Sequence, residues 1–244
     1  MTLADATRGQ RAEAPPEAQD AAVSRRVITD EGGATAHERV YKHLRRRILH
    51  GEMAPGDHLT LRGVAGELGV SMTPAREAVR RLAAEGALAI SASGRVSAPV
   101  LTPQRIEELA SIRALLEPEL AARALPRAHF SLIERLKRMN DEIDRHLASG
   151  DAAAYVRGNL EFHRTLYLRA HAPAMLALAE TVWLQTGPSM RALYARIGMG
   201  RVADYHAKAI AALAAGDEAG LRLAIRADVR QGLTMLSNEG LDAA

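Results

Sequence analysis

The sequence predicts a mainly α protein in two parts: a small N-terminal unit of three helices closed by a β-hairpin, then a larger C-terminal all-α helical bundle. Three observations lead there. Aromatics make up 3% of the 244 residues while apolar residues reach 48%. The cores are therefore built from Leu, Ala, Val, Ile and Met, a composition that leans away from strands and toward helix. Apolar residues also recur every three or four positions along most of the chain after Thr35. Only "ALAISASGRVSAPV", ending at Val100, interrupts that period, with two short strand-like runs around Ser93-Gly94.

Taken in order, residues 1–34 contain "EAPPEAQDAA" and "DEGGA" and show no sustained apolar period, so they read as a disordered N-terminal arm. Arg25 and Arg26 read as part of that solvated tail, with contact to a DNA phosphate as the alternative. Thr35 stands three residues before Glu38, the spacing of a capping box, and Val40, Leu44 and Ile48 form the stripe of a first helix, which Gly51 stops. "APGDHLT" reads as a turn. Thr60 is the expected N-cap of a helix carrying Leu61, Val64 and Leu68, and Gly63 inside it costs about 1 kcal/mol against alanine. Gly69 ends that helix and Val70-Ser71-Met72 makes the turn. Pro74 suits the first position of the next helix, where a missing N–H costs nothing. Ala75, Ala78, Val79 and Leu82 line that helix before Gly86 ends it. Leu88, Ile90, Val96 and Val100 are the expected apolar anchors of the hairpin.

Long helices follow from Thr102. Ile106, Leu109, Ile112, Leu116 and Leu120 form one stripe, and Leu132, Leu136, Met139, Ile143 and Leu147 another. "ASGD" and "AAGD", ending at Asp151 and Asp217, read as helix ends followed by new N-caps. About six helices are expected here, packed as a bundle with an interior pocket. The organisation is thus an arm over 1–34, a first unit over 35–100 and a bundle over 101–240.

The totals exclude several classes. Without cysteine there is no disulfide framework, thiolate metal site or Cys nucleophile. No apolar run approaches the roughly 20 residues of a membrane span, and the N-terminal stretch lacks the apolar core of a secretory signal. The net charge of +3 permits an anionic partner. Only Lys42, Lys137 and Lys208 are lysines, an imbalance that codon usage in a GC-rich genome explains, so arginine position matters more than arginine count.

Three helices with a tight turn and a trailing hairpin form the winged helix-turn-helix pattern. Its middle helix braces the next, whose N-terminal residues enter the major groove of double-stranded DNA, where arginine pairs bidentately with guanine. Ser71, Thr73 and Arg76 sit where that geometry needs them. Arg62 falls near a phosphate, and Gly94 and Arg95 form the wing tip. Two helices joined by a glycine turn also occur in proteins that bind no nucleic acid, and Arg80 and Arg81 fit a solvated face equally well.

The motifs themselves narrow this. "I-x-x-G-x-x-x-P-G-x-x-L" beginning at Ile48, "L-G-V-S-x-T-P-x-R-E-A" at Leu68 and "R-L-x-x-E-G" at Arg81 closely resemble the DNA-binding domain of GntR-family bacterial transcription regulators. "IRALLEPELAARA", "NLEFHRTLY" and "YHAKAIAALAAGD" resemble the FadR subgroup with its FCD-type, all-helical ligand-sensing domain. The resemblance spans about residues 36–235. It implies DNA contacts at Arg62, Ser71, Met72, Thr73, Arg76 and the wing around Ser93, Gly94 and Arg95. Met72 departs from the family, in which many members carry a base-reading arginine; methionine cannot donate to guanine.

Asn159 and His163, four residues apart, share a helix face; His206 lies on a later helix and Asp228 on the last. The resemblance implies that all four line one cavity, where some members hold a divalent metal. Two imidazoles suit zinc, nickel or manganese, with Asp228 adding one negative charge and Asn159 a neutral oxygen. The alternative is that these groups bond one another or an organic ligand directly. Arg113, with Glu117 four residues on, either forms an internal ion pair or faces the pocket and forks a ligand carboxylate, joining Asn159, His163 and His206 as effector-binding residues. His171 and Trp183 read as loop and core.

The expectation is a ligand-responsive transcription regulator of the bacterial cytoplasm: a homodimeric repressor, not an enzyme, bound to a DNA operator and controlled by a small carboxylate. The competing reading is a metal-dependent enzyme or metal-binding bundle with an accessory basic domain. No nucleophile motif, phosphate-cradling loop or cofactor fingerprint supports it.

Overall fold

The first helix buries the stripe the sequence marks. A computed structural model describes residues 35–197 and 203–238; the expected arm over 1–34, with Arg25 and Arg26, lies outside the described residues. Helix α1 (Ala36–Leu49) turns Val40, Tyr41, Leu44 and Ile48 inward. Helix α2 (Leu61–Glu67) starts where Thr60 Oγ1 accepts from Gly63 N at 3.0 Å. Helix α3 (Met72–Ala84) buries Ala75, Ala78, Val79 and Leu82.

Three local expectations are corrected. The turn before Thr60 contains a strand, β1 (His58–Leu59), so the hairpin of β2 (Ala89–Ile90) and β3 (Val96–Ser97) becomes an antiparallel sheet of order β1-β3-β2. Leu59 pairs with Val96 and Ala89 with Ser97. A two-residue strand has no period of its own and exists through its pairing. Met72 is helical, which makes Pro74 the third helical residue; its missing N–H is still among those a helix leaves unbonded. Ile90 and Val100 are each 45% exposed, so of the four expected anchors Leu88 and Val96 are the buried ones.

Six α-helices make the bundle among the described residues: α4 (Pro103–Ala124), α5 (Phe130–Ser149), α6 (Ala152–Tyr167), α7 (Pro173–Ile197), α8 (Tyr205–Ala215) and α9 (Glu218–Asn238). The two "GD" boundaries hold. Gly150 and Gly216 take left-handed conformations, and Asp151 and Asp217 accept from Ala154 N and Gly220 N. Along α4 the stripe is narrower than the spacing suggests: Ile112 is exposed, as is Leu115.

The interior falls into two apolar clusters. One gathers α1–α3 and the sheet around Leu44, Ile48, Val79, Leu82 and Val96, and it also takes in Leu184 of α7. The other fills the bundle with Leu120, Leu136, Phe162, Leu166, Trp183 and Leu193. Each such fully buried side chain contributes about 1.5–3 kcal/mol. Helix α7 reaches α1 because Gly187 has no side chain: a Cβ there would lie 2.5 Å from Ile48 O and 2.7 Å from Leu49 O. Arg45 pairs with Glu180 at 3.0 Å, and Arg191 donates to Gly51 O at 2.8 Å. Gln185 Nε2 donates to Glu85 O, at the end of α3, while its Oε1 accepts from Arg105.

Candidate functional site

At the N-terminal end of α3, Ser71, Thr73 and Arg76 are exposed and Met72 is half-buried. Met72 shares one open groove with Thr60, Arg62, Gly94 and Arg95. The start of α2, the start of α3 and the wing thus converge. The wing turn is braced by Arg95 N donating to Ser91 Oγ at 3.0 Å, and the Ser91 and Ser93 hydroxyls lie 2.9 Å apart. Arg81 points elsewhere: it pairs with Glu38 and Glu85, with its guanidinium 3.7 Å over the Tyr41 ring. Among the described residues, none of Arg62, Arg76, Arg80 and Arg95 is held in an ion pair, so their charge is open to a phosphate or a base.

Inside the bundle, α6, α8 and α9 bring His163, His206 and Asp228 together, with candidate ligand atoms all within 4.8 Å of one another. His163 Nε2 lies 3.0 Å from Asp228 Oδ2 and 3.3 Å from His206 Nε2, which is 3.7 Å from Asp228 Oδ1. Asn159 stands at the edge, its amide nitrogen 3.4 Å from His206 Nε2; turning the amide over would present oxygen instead. Phe162 stacks on the His206 ring at 4.0 Å. Burial lowers the His206 pKa to about 4 despite the nearby Asp228 charge. Burial pushes the Asp228 carboxyl up, but His206 and His163 outweigh it and hold the value at about 2. The centre therefore combines a neutral imidazole at His206 with a carboxylate at neutral pH.

The fit to a cation can be judged from the donor set. Metal–ligand bonds of about 2.0–2.1 Å place two ligands about 3.0 Å apart at a right angle and about 3.4 Å apart in a tetrahedron. The spacings of 3.0 and 3.3 Å from His163 Nε2 match, and the third, 3.7 Å from His206 Nε2 to Asp228 Oδ1, would have to close by a few tenths of an ångström. A cluster of imidazole nitrogens and a carboxylate with little hydrogen to share calls for a cation, either a metal ion or a proton. The residues present fit a divalent ion.

Arg113 forms the internal ion pair its spacing offered and also borders a cavity. Its Nε donates to Glu117 Oε1 at 2.5 Å, so the internal ion pair exists. It also lines a narrow cavity with Asn159, Trp183, Met190, Tyr194 and Leu49. That space is about 30 Å³, enough for a water or two, so an organic acid enters only if the walls part. Burial alone would raise the Glu117 pKa, but Arg113 outweighs it and lowers it.

The sequence reading missed Asn140 and Tyr167. Asn140 Oδ1 faces His206 Nδ1 at 3.1 Å, and Tyr167 OH faces His163 Nδ1 at 3.0 Å. A signal existed for each: Asn140 is a polar residue on the apolar stripe, four residues after Leu136, and Tyr167 is four residues after His163. Trp183 is in the core, yet it borders the cavity and donates to Glu117 at 2.8 Å. His171 is an exposed loop residue with a φ of 51°.

Comparison with known proteins agrees with this architecture. Residues 36–96 match the bacterial regulatory proteins of the gntR family, and residues 108–231 match the FCD domain. The chain is 26% identical over 201 residues to the HTH-type transcriptional regulator McbR of Escherichia coli (strain K12), covering 81% of this chain and 90% of that protein. It is 29% identical over 133 residues to the gluconate operon transcriptional repressor of Bacillus subtilis (strain 168), 54% of each chain. The solved structure of E. coli McbR/YncC superposes with a TM-score of 0.77 at 24% identity, covering 85% of this chain and 99% of that one, a likeness of fold.

Proposed function

The chain belongs to the GntR family of bacterial regulatory proteins and carries an FCD domain, and from that premise we propose a homodimeric repressor whose operator affinity is set by a small carboxylate bound beside a divalent cation. Transcription regulation through DNA binding is the family's function, and the relatives are regulators rather than enzymes. That sets aside the metal-enzyme reading. No helix among the described residues is long and apolar enough to cross a membrane.

In this reading residues 35–100 bind DNA, and residues 101–240 bind the effector and the partner copy. Arg76 reads a base, Arg62 and Arg95 take phosphates, and Ser71, Thr73, Ser93 and Gly94 support the approach. Met72 offers apolar contact. Two-fold symmetry would set two α3 helices about one DNA turn apart. His163, His206 and Asp228 would hold the ion, with Asn159 as a fourth ligand; zinc, nickel and manganese all suit such a set. The ion would supply a positive centre for a carboxylate whose other end Arg113 forks.

The observation that carries this proposal is the double duty of α7. Trp183 borders the polar centre, its neighbour Leu184 sits in the N-terminal cluster, and Gln185 holds the end of α3. A ligand that parts the cavity walls moves α7, and with it the footing of α3. It changes operator affinity only through its unequal affinity for the two arrangements.

The test is binding to a palindromic segment upstream of the protein's own gene across a salt series, with and without a panel of small carboxylates. Arg76→Ala should weaken specific binding by about 1–3 kcal/mol, and at least one carboxylate should shift the wild-type affinity. Affinity unchanged by Arg76→Ala overturns the assigned reading helix, and indifference to every carboxylate overturns the effector class.

A further inference from the structure

We propose that Asn140 and Tyr167 are positioning residues that fix both imidazoles with Nδ1–H outward and Nε2 bare toward the centre. The ion site is then set by side chains that never touch the ion. This rests on the reading of His163, His206 and Asp228 as an ion site.

Asn140 is 6% exposed, and its Nδ2 donates to Asp204 Oδ2 at 3.2 Å and to Asp144 Oδ2 at 3.5 Å. Carboxylates only accept, so these two fix which way the amide faces. Its Oδ1, which carries no hydrogen, meets His206 Nδ1 at 3.1 Å. The imidazole must supply the hydrogen, and its Nε2 is left bare. Asp204 also accepts from Ala207 N and so starts α8, the helix that carries His206. One carboxylate thus sets both the ring and the group that orients it.

The second lock is built differently and ends in the same state. Tyr167 has one hydroxyl hydrogen, and it goes to Glu117 Oε2 at 3.0 Å. Glu117 stays ionised beside Arg113 and also accepts from Trp183, so it has no hydrogen to return. The Tyr167 oxygen can only accept from His163 Nδ1 at 3.0 Å. Again Nδ1 carries the hydrogen and Nε2 faces the centre, 3.3 Å from its counterpart.

Two bare nitrogens at that distance repel. A histidine free to take the other tautomer would swing an Nε2–H toward Asp228 and quench the cluster without a cation. The two locks forbid that tautomer, which leaves only an added cation, a metal ion or a further proton, to quench the cluster. Such outer partners commonly change metal affinity about 10- to 100-fold.

The test uses the full-length protein, 15N-labelled at histidine and stripped of metal. In wild type near pH 7.5, the imidazole spectrum should show His163 and His206 as Nδ1–H tautomers. Tyr167→Phe should release His163 alone and Asn140→Leu should release His206 alone. Zinc affinity, measured by competition with a chromophoric chelator, should fall about 10- to 100-fold in each variant. Nε2–H tautomers in the wild type overturn the proposal, whether or not either variant folds. Folded variants that bind zinc as tightly as wild type overturn it too. Wild-type protein that binds no zinc overturns the ion-site reading beneath it, and the metal-free spectrum then decides the orientation claim by itself.

Discussion

Glu117 is fully buried and accepts from Arg113, Tyr167 and Trp183. Glu117→Gln would leave the Arg113 charge inside the bundle without a counter-charge, and breaking a buried pair from one side costs about 3–5 kcal/mol. Urea unfolding near neutral pH should show that loss. Because Arg113 holds the folded pKa of Glu117 below its ordinary 4.5, the carboxylate's contribution is full above about pH 4.5. It fades as pH falls through the lowered value, so the gap between wild type and variant should narrow only in acid. Part of this was legible in advance. Arg113 and Glu117 are four apart on one helix, which is a local fact. Trp183 is 66 residues from Glu117, and no period or spacing announces such a partner.

At the scale of elements, two glycines give opposite expectations. Gly66 has nothing within 4 Å of where a Cβ would go. Gly66→Ala should therefore stabilise by about 0.5–1 kcal/mol through helix preference. Gly187→Ala drives a methyl into the Ile48 and Leu49 carbonyls and should lower the unfolding midpoint, read in the same urea experiment. If Gly187→Ala proved harmless, the close approach of α1 and α7 would be wrong. The helices themselves were largely legible, because caps such as Thr60, Asp151 and Asp217 act within four residues of chain. Strand β1 was not, since its only reason to exist is β3, nearly forty residues on. The site divides the same way: Asn159 and His163 share a helix face, while the convergence of His206 and Asp228 came from family resemblance rather than from spacing.

For the whole molecule, the described residues from Ala36 onward group into one compact unit, although the interior has two clusters. Leu184 fills the N-terminal cluster while Trp183, beside it on α7, fills the other. Unfolding should therefore be a single event. Fluorescence of Trp183, the chain's one tryptophan, should report the same urea midpoint as far-UV circular dichroism, which sees both halves. Two separated midpoints would show that the clusters melt independently. The change of pattern near residue 101 marks where the chain passes from one half to the other. It does not mark where the first interior ends, because α7 returns to it some eighty residues later.

That return bears on portability. A DNA-reading segment cut after residue 100 and spliced to a foreign sensor would leave Leu184 behind, along with the Gln185 contact that steadies Glu85. Its new host would have to present an equivalent helix, with a gap like that at Gly187 to let it come close. Where regulators of this build exchange parts, the seam that matters runs along α7, and a successful graft must match two surfaces there rather than join two ends of chain.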